Sequence, residues 1–414
     1  MLSAKVNRYI QQYFKRFASP TPILTAPLPT HCEIIIVIPC HKEPDLLATL
    51  DSLTKCDRPS NPFEVIVVVN QSESASPIIH DANRKTISDY NSWNTGKHSG
   101  LEFHLIEMLD MPQKHAGVGL ARKTGMDEAL RRFAGRNTDG VIVCLDADCQ
   151  VSPNYLKSIE EEFLRTNAGI GMMQYEHPFE EETDSDLKEG IVRYELFLRY
   201  YVEGLRQSGF PNAIHTIGSC MLAKASVYAK HGGMNKRKAG EDFYFLHKIV
   251  PHEPFIIVKQ ATVYPSCRVS DRVPFGTGKA QGDWLNEGSK DYPSYDPAVF
   301  SVLKQFINTV PGFYEENISE IINRLPEALI DFVKAHDYEN KIARIKSNCS
   351  NADQFQKQFF VWFDGFLCLK LVHFLRDHYL PNRPLLEAAN QLIDQQFSDL
   401  TSLLYAYRRQ DRQL

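Results

Sequence analysis

Apolar positions follow two regimes along the chain. From residue 33 to about 265, short unbroken apolar runs alternate with stretches whose apolar residues recur every three or four positions. Glu33-Ile-Ile-Ile-Val-Ile38, Glu64-Val-Ile-Val-Val-Val69 and Val141-Ile-Val-Cys-Leu145 read as strands buried on both faces. A further strand is expected over residues 101–108. Between the strands, Leu46, Leu47, Leu50 and Leu53 mark a helix whose first turn suits Pro44. A polar helical stretch covers residues 76–91, and another helix follows Gly117 and runs through Leu130. Strands alternating with helices at this pace predict βαβ units and a mostly parallel sheet. Beyond about residue 290 the strand signals stop, and segments such as 315–334 and 353–378 are helically spaced. The expected architecture is α/β, a Rossmann-like sheet flanked by helices with an α-helical C-terminal region. Its expected divisions are 1–30, 31–288 and 289–414.

Smaller features fill the frame. Val6, Ile10, Tyr13, Phe14 and Phe17 form an apolar stripe on a short basic helix over residues 2–17. It reads as a helix packed on the protein's own surface, an interfacial membrane helix being the other reading. Pro20, Pro22, Pro27 and Pro29 form a stiff connector. Leu187, Ile191, Tyr194, Leu198, Tyr201, Val202 and Leu205 mark a long amphipathic helix. A short strand and helix are bracketed by residues 218–222 and Gly232-Gly-Met234, and Gly240-Glu-Asp242 opens a further helix. Two short strands are expected near residues 255–258 and 261–264, then a glycine-rich loop over 266–284. With 43% hydrophobic and 23% charged residues and a net charge of -5, the chain has soluble globular composition and lacks the basic excess of a nucleic-acid binder. Nine scattered cysteines, never spaced Cys-x-x-Cys, imply neither a disulfide framework nor a zinc site. The apolar segment 359–375 carries Asp364, Lys370 and His373 and makes a poor membrane span. A cytoplasmic protein is expected, with residues 2–17 as its candidate peripheral membrane contact.

The chemistry concentrates where the third apolar run ends, at Asp146-Ala-Asp148. Carboxylates leaving a buried strand sit where open α/β sheets place their ligands, and a pair of them can hold a hard divalent cation. A second copy, Asp184-Ser-Asp186, lies in an acidic run with no strand before it and reads as helix-start chemistry. Two nucleotide signatures fail. The dinucleotide fingerprint meets Pro39-Cys-His-Lys-Glu43 after the first strand, and the P-loop pattern meets Val273 and Ala280.

The remaining landmarks resemble the glycosyltransferase family 2-like group, with its GT-A fold, over residues 33–265. They are Val37-Ile-Pro-Cys-His-Lys-Glu43 with Lys42 in place of the usual Asn, Gly117-x-Gly-x-Ala-Arg122, Asp146-Ala-Asp148, and Gly232-Gly233 followed by Glu241-Asp242. The resemblance implies a nucleotide-diphosphate sugar donor, a hydroxyl acceptor, and a magnesium or manganese ion on Asp148 with Asp146 beside it. It implies Asp242 as catalytic base, with Glu241 and Gly218 on the acceptor side. Donor contacts are expected from Pro39, Glu43, Asn70, Gly117, Arg122 and Asp146. Apart from the resemblance, Arg272 and Lys279 lie on a loop expected to close over the diphosphate, a surface loop with solvated basic residues being the other reading. Two departures matter. The second strand ends at Asn70-Gln71 where such enzymes carry aspartates, which leaves the base open. The Gln-x-x-Arg-Trp motif of processive members is absent, which favours single-sugar transfer. Inversion is expected, with a retaining enzyme of the same fold as the alternative. A nucleotidyltransferase is disfavoured because residues 39–44 lack glycine, and a non-catalytic binder because Asp148 and Asp242 are both present.

Overall fold

The computed structural model describes residues 2–19, 21–96, 101–272, 274–287 and 293–413. The chain divides into two compact units, one of residues 1–187 and 216–283, the other of 188–215 and 284–414. The boundary expected at 288/289 lies outside the described residues.

The first unit is built on eight strands: β1 (Ile34–Cys40), β2 (Phe63–Ser72), β3 (Leu101–Met111), β4 (Val141–Cys144), β5 (Gln150–Val151), β6 (Ile170–Tyr175), β7 (Met221–Lys224) and β8 (Phe255–Tyr264). They join in the order β3-β2-β1-β4-β7-β6-β8-β5. Neighbours from β3 to β4 run parallel, as do β6 and β8, while β7 and β5 are antiparallel to theirs. The parallel half carries the apolar runs, and Ile35–Ile38, Val65–Val69 and Val141–Val143 are fully buried. Pro39 is tolerated in a central strand because β4 pairs only with residues 34–37, so no β4 ladder bond is due at its missing N–H. The two strands expected near 255 and 261 are one strand with a bulge opposite Met173/Gln174. The Glu162 carboxylate takes the freed N–H groups of Lys259 and Gln260.

The flanking helices are α1 (Ala4–Arg16), α2 (Leu46–Thr54), α3 (Pro77–Trp93), α4 (Val118–Gly135), α5 (Tyr155–Ser158, running into a π-helical turn to Leu164), α7 (Ala225–Lys230), α8 (Glu241–Ile249) and α9 (Thr277–Glu287), with α6 (Ser185–Gln207) running mostly in the second unit. Helix α4 lies against the sheet where Gly125 meets Val37 and Val68, an approach that any side chain there would block. Helix α1 packs on the protein. Tyr13 is buried, donates its hydroxyl to Asp127 at 2.6 Å, and accepts from Lys123 at 2.5 Å. The proline connector then lies along α4, with Ile23 and Leu24 donating to Glu128, and Arg132 and Arg136 donating to the carbonyls of Ala26 and Leu28.

The second unit is helical. Besides residues 188–207 of α6, it has α10 (Ala298–Glu315), α11 (Ile318–Asn323), α12 (Glu327–Ala335), α13 (Tyr338–Ser347), α14 (Ala352–Trp362), α15 (Gly365–His378), α16 (Leu385–Ile393) and α17 (Leu400–Gln413). Contrary to the expectation that strands stop, Pro293–Ser294 (β9) pairs with Arg383–Pro384 (β10), a ladder too short to leave a periodic signal. Phe306, Phe313, Phe355, Phe359 and Phe363 form an aromatic core. A buried ionic cluster joins Glu195 to Arg199 and Arg408, and Asp411 to Arg199 and Arg206. Among the described residues no single helix is long and apolar enough to cross a membrane; α14 and α15 pass on composition only as a pair bent by 69°. Asp364 makes the break by capping α15, accepting from Phe366 and Leu367 N–H.

Candidate functional site

The Asp-x-Asp turn is held from three sides. Leu145 N–H donates to the Val37 carbonyl at 3.1 Å, the Thr49 hydroxyl of α2 donates to the Ala147 carbonyl at 2.9 Å, and Cys149 N–H closes back on Asp146 O at 3.1 Å. The turn therefore presents Asp146 and Asp148, with side chains 37% and 22% exposed, just past the end of β4. The second copy has a different job: Asp184 accepts from the N–H groups of Asp186 and Leu187 at the exposed start of α6.

Three arginines meet these carboxylates. Arg122, from the first turns of α4 and 2% exposed, pairs with Asp146 through one terminal nitrogen and with Glu241 through the other. Its buried Nε–H has no partner. A methyl group added to Gly218 would lie 2.8 Å from the Arg122 guanidinium and 3.1 Å from the Asp242 carboxylate, so Gly218 forms one wall of this corner. Arg272 donates to Asp148 at 2.8 Å and to Glu43 at 2.5 Å, and Arg268 pairs with Glu43 and Asp45. Among the described residues, Glu43, Asp45, Asp146, Asp148, Glu241 and Asp242 thus pair with or lie beside Arg122, Arg268 and Arg272, six carboxyls against three guanidiniums.

This excess shows in the acidities. Burial, with Asp146 and Glu43 nearby, holds the Asp148 carboxyl above the usual range against the pull of Arg272 and Arg268. Burial likewise raises Asp242, with Asp146 adding to it and Arg122 and the Phe243 N–H opposing. Glu241 is pushed up to about 7 by burial and by Asp242, against Arg122. That direction stands beside a close Arg122 contact because one guanidinium serves two carboxyls and lies next to a third.

The other expected residues are placed as follows. Pro39 and Glu43 flank the turn after β1, where Lys42 adopts a left-handed φ of 48°, a conformation that suits the usual Asn. Asn83 of α3 was not legible in the sequence and braces this turn. Its Oδ1 accepts from Lys42 N–H at 2.9 Å, and its Nδ2 donates to Asn70 O at 3.1 Å and Gln71 Oε1 at 3.0 Å. His41 donates to the same Asn70 carbonyl at 2.7 Å. Gly117 and Gly119 press against the backbone of Lys238 and Arg237, so this segment is packed under a loop. Gly232 and Gly233, both at positive φ, turn the chain after α7 beneath Phe17 and Tyr13 of α1 and stand outside the cluster.

The loop expected over 266–284 is shorter. Gly276, at φ 98°, ends it, and α9 begins at Thr277, so Gly278 and Gly282 are helical. Gln281 anchors that helix, fully buried and donating to the carbonyls of Leu187 and Cys267. Lys279 pairs with Asp283 one turn on, not with the cluster. Arg268, one of the three cations that marked this segment in the sequence, joins Arg272 at the cluster. Among the histidines, His177 meets Thr277 at 3.1 Å and His231 meets Glu253 at 2.6 Å, while His247 is buried and pushed down to about 4. Among the described residues no group of three or more His, Cys, Asp or Glu is arranged to hold a metal ion; the turn offers two carboxylates.

No curated protein matches the chain. Among solved structures it resembles residues 1–349 of TarS from S. aureus in complex with UDP-GlcNAc, at 11% identity over 80% of this chain and 89% of that one, with a TM-score of 0.41. The same TarS fragment in complex with UDP aligns at 12% identity over 92% and 88%, with a TM-score of 0.38. Likenesses this distant carry no argument about the reaction. Residues 35–232, which hold β1 from Ile35 on, Arg122, the Asp146–Asp148 turn and Gly218, match the Glycosyl transferase family 2 model, and this part of the chain is a family 2-like glycosyltransferase domain.

Proposed function

We propose that the enzyme moves one sugar from a nucleoside-diphosphate sugar to an acceptor hydroxyl, with inversion at the anomeric carbon and with a divalent cation on Asp148 and Asp146. The observation that carries this reading is the surplus of carboxyls over guanidiniums at the cluster. A diphosphate brings further negative charge, and only added positive charge lets it settle there. The donor set fits magnesium or manganese, since Asp146 and Asp148 offer carboxylate oxygens and neither thiolate nor imidazole. Bound there, such an ion would supply neutralisation of the charge that builds on the leaving diphosphate.

The chain's own residues do the rest. Arg272 and Arg268, on the short loop before α9, pair with carboxylates and can turn to phosphate oxygens when a donor arrives. Arg122 fixes Glu241 relative to Asp146 and so holds the start of α8 against the Asp-x-Asp turn. Asp242 takes the proton of the acceptor hydroxyl as its oxygen bonds to the anomeric carbon and the bond to the diphosphate oxygen breaks. One displacement with one base inverts the centre. Thermal shift with a panel of nucleoside diphosphates, with and without manganese, tests the reading. At a hundredfold excess over its Kd the matching nucleotide should add about 2.7 kcal/mol of stability. Equal stabilisation in excess chelator would remove the cation from the scheme.

A further inference from the structure

We infer that the acceptor is a polyhydroxylated anion, steered by the exposed triplet Lys236-Arg237-Lys238 toward the proposed base Asp242. The inference rests on the proposed role of Asp242 and extends it from a reaction to a substrate class. A run of exposed cations is ordinarily solvated surface. Three observations set this one apart.

The first is charge accounting. The other cations around the cluster are committed: Arg122 to Asp146 and Glu241, Arg268 and Arg272 to Glu43, Asp45 and Asp148, Lys279 to Asp283. Lys236, Arg237 and Lys238 have no carboxylate partner among the described residues, in a chain whose net charge is -5. The second is rigidity. Gly119 and Gly117 sit directly under the backbones of Arg237 and Lys238, where a methyl on Gly117 would come 2.8 Å from Lys238 Cα. Asn235 accepts from Arg237 N–H at 3.0 Å and donates to the Glu241 carbonyl at 3.0 Å, which ties the triplet to the first residue of α8. These cations therefore hold a fixed place beside Glu241-Asp242. The third is the neighbouring surface. The Arg237 guanidinium stacks 3.7 Å over the Tyr244 ring, and Phe275, 53% exposed, rests against Gly240. Exposed rings beside a base suit the apolar faces of sugars and polyols, and unpaired cations beside the rings suit a phosphate or carboxylate on the same molecule. Charges placed this way speed encounter and select partner sign.

The test uses the full chain and the variant K236Q/R237Q/K238Q. Binding of phosphorylated dextran, polygalacturonate, neutral dextran and phosphatidylglycerol vesicles is measured at low and moderate salt. Manganese-dependent nucleoside-diphosphate binding is followed in parallel. Wild type should bind phosphorylated dextran, polygalacturonate or both, in a salt-sensitive way, and ignore neutral dextran; binding neither overturns the inference. The two polymers separate a phosphate preference from a carboxylate one. The variant should lose roughly tenfold or more of that binding while nucleotide binding stays within about twofold. If the triple variant does not fold, the single changes K236Q and K238Q carry the test, since among the described residues neither ammonium has a hydrogen-bond or ion-pair partner. Polymer binding that survives the substitutions overturns the inference. So does attachment to vesicles without polymer binding, or loss of nucleotide binding along with polymer binding. Asp242→Asn should leave polymer binding intact, so failure of the base assignment and failure of this one are read separately.

Discussion

Asp242→Asn separates a base from a structural carboxylate, because the structure says what the substitution preserves. Asp242 Oδ1 accepts the Phe243 N–H at 2.8 Å, and an asparagine oxygen can accept the same bond, so the start of α8 is kept. Arg122 stays paired with Asp146 and Glu241. One buried negative charge is removed from a cluster already three carboxyls in excess, so the variant should be at least as stable as wild type. Only proton affinity is lost. A general base contributes about two to four powers of ten in rate, or about 3–5 kcal/mol of transition-state stabilisation. Single-turnover transfer, started with donor and manganese in excess, should fall by that factor while calorimetric nucleotide binding is unchanged. NMR of the wild-type product should show an inverted anomeric centre. Transfer within about tenfold of wild type, or a retained configuration, would refute the role of Asp242.

Four further outcomes are expected. Asp148→Asn should abolish manganese-dependent tightening of nucleotide binding, whereas Asp184→Asn and Asp186→Asn should leave it alone; equal effects from all three would discredit the turn. Arg272→Gln should weaken nucleotide binding yet strengthen binding of manganese alone by calorimetry, since it frees Asp148 from its competing cation; weaker metal binding would show that the arginine supports the metal carboxylate. Trypsin should cut at Arg268 and Arg272 more slowly with nucleotide and manganese present, and unchanged cutting would remove the closing loop. Glu241, pushed up to about 7 from 4.5, holds its proton in the folded chain to higher pH than in the unfolded one. Its contribution to stability is therefore fully present below about pH 4.5 and lost as pH rises through about 7. Urea midpoints of Glu241→Gln should fall less between pH 5 and 8 than those of wild type, and parallel curves would contradict the raised pKa.

What the sequence disclosed follows from where the information lies. The four parallel strands and the carboxylates after β4 are local patterns, unbroken apolar runs ending in polar turns, and all were visible. Strands β5 and β6 were not read, β5 because two residues carry no period and β6 because Gly171 and Gln174 interrupt its apolar run. The steric use of the glycines was hidden: Gly117 and Gly119 make room for the 237–238 backbone, and Gly233 for Tyr13 of helix α1. Residues 277–284 read as loop because two glycines dilute a helix whose anchor, buried Gln281, is polar.

The partners of each charge were the hidden part. Arg122, expected at the donor, bridges the Asp-x-Asp turn to the start of α8, its contact with Glu241 spanning 119 positions. Arg272, also expected at the donor, sits on Asp148. A cluster that neutralises half of its own charge can fold without ligand. On the proposed reading, phosphate oxygens compete with the carboxylates for Arg268 and Arg272. A carboxylate left without its arginine in a half-buried cleft is costly. The proposal therefore predicts that donor and cation are coupled through the arginines, with neither binding tightly alone. The family match accounts for the residues present, but this coupling depends on their pairing, which becomes visible only once the chain is folded.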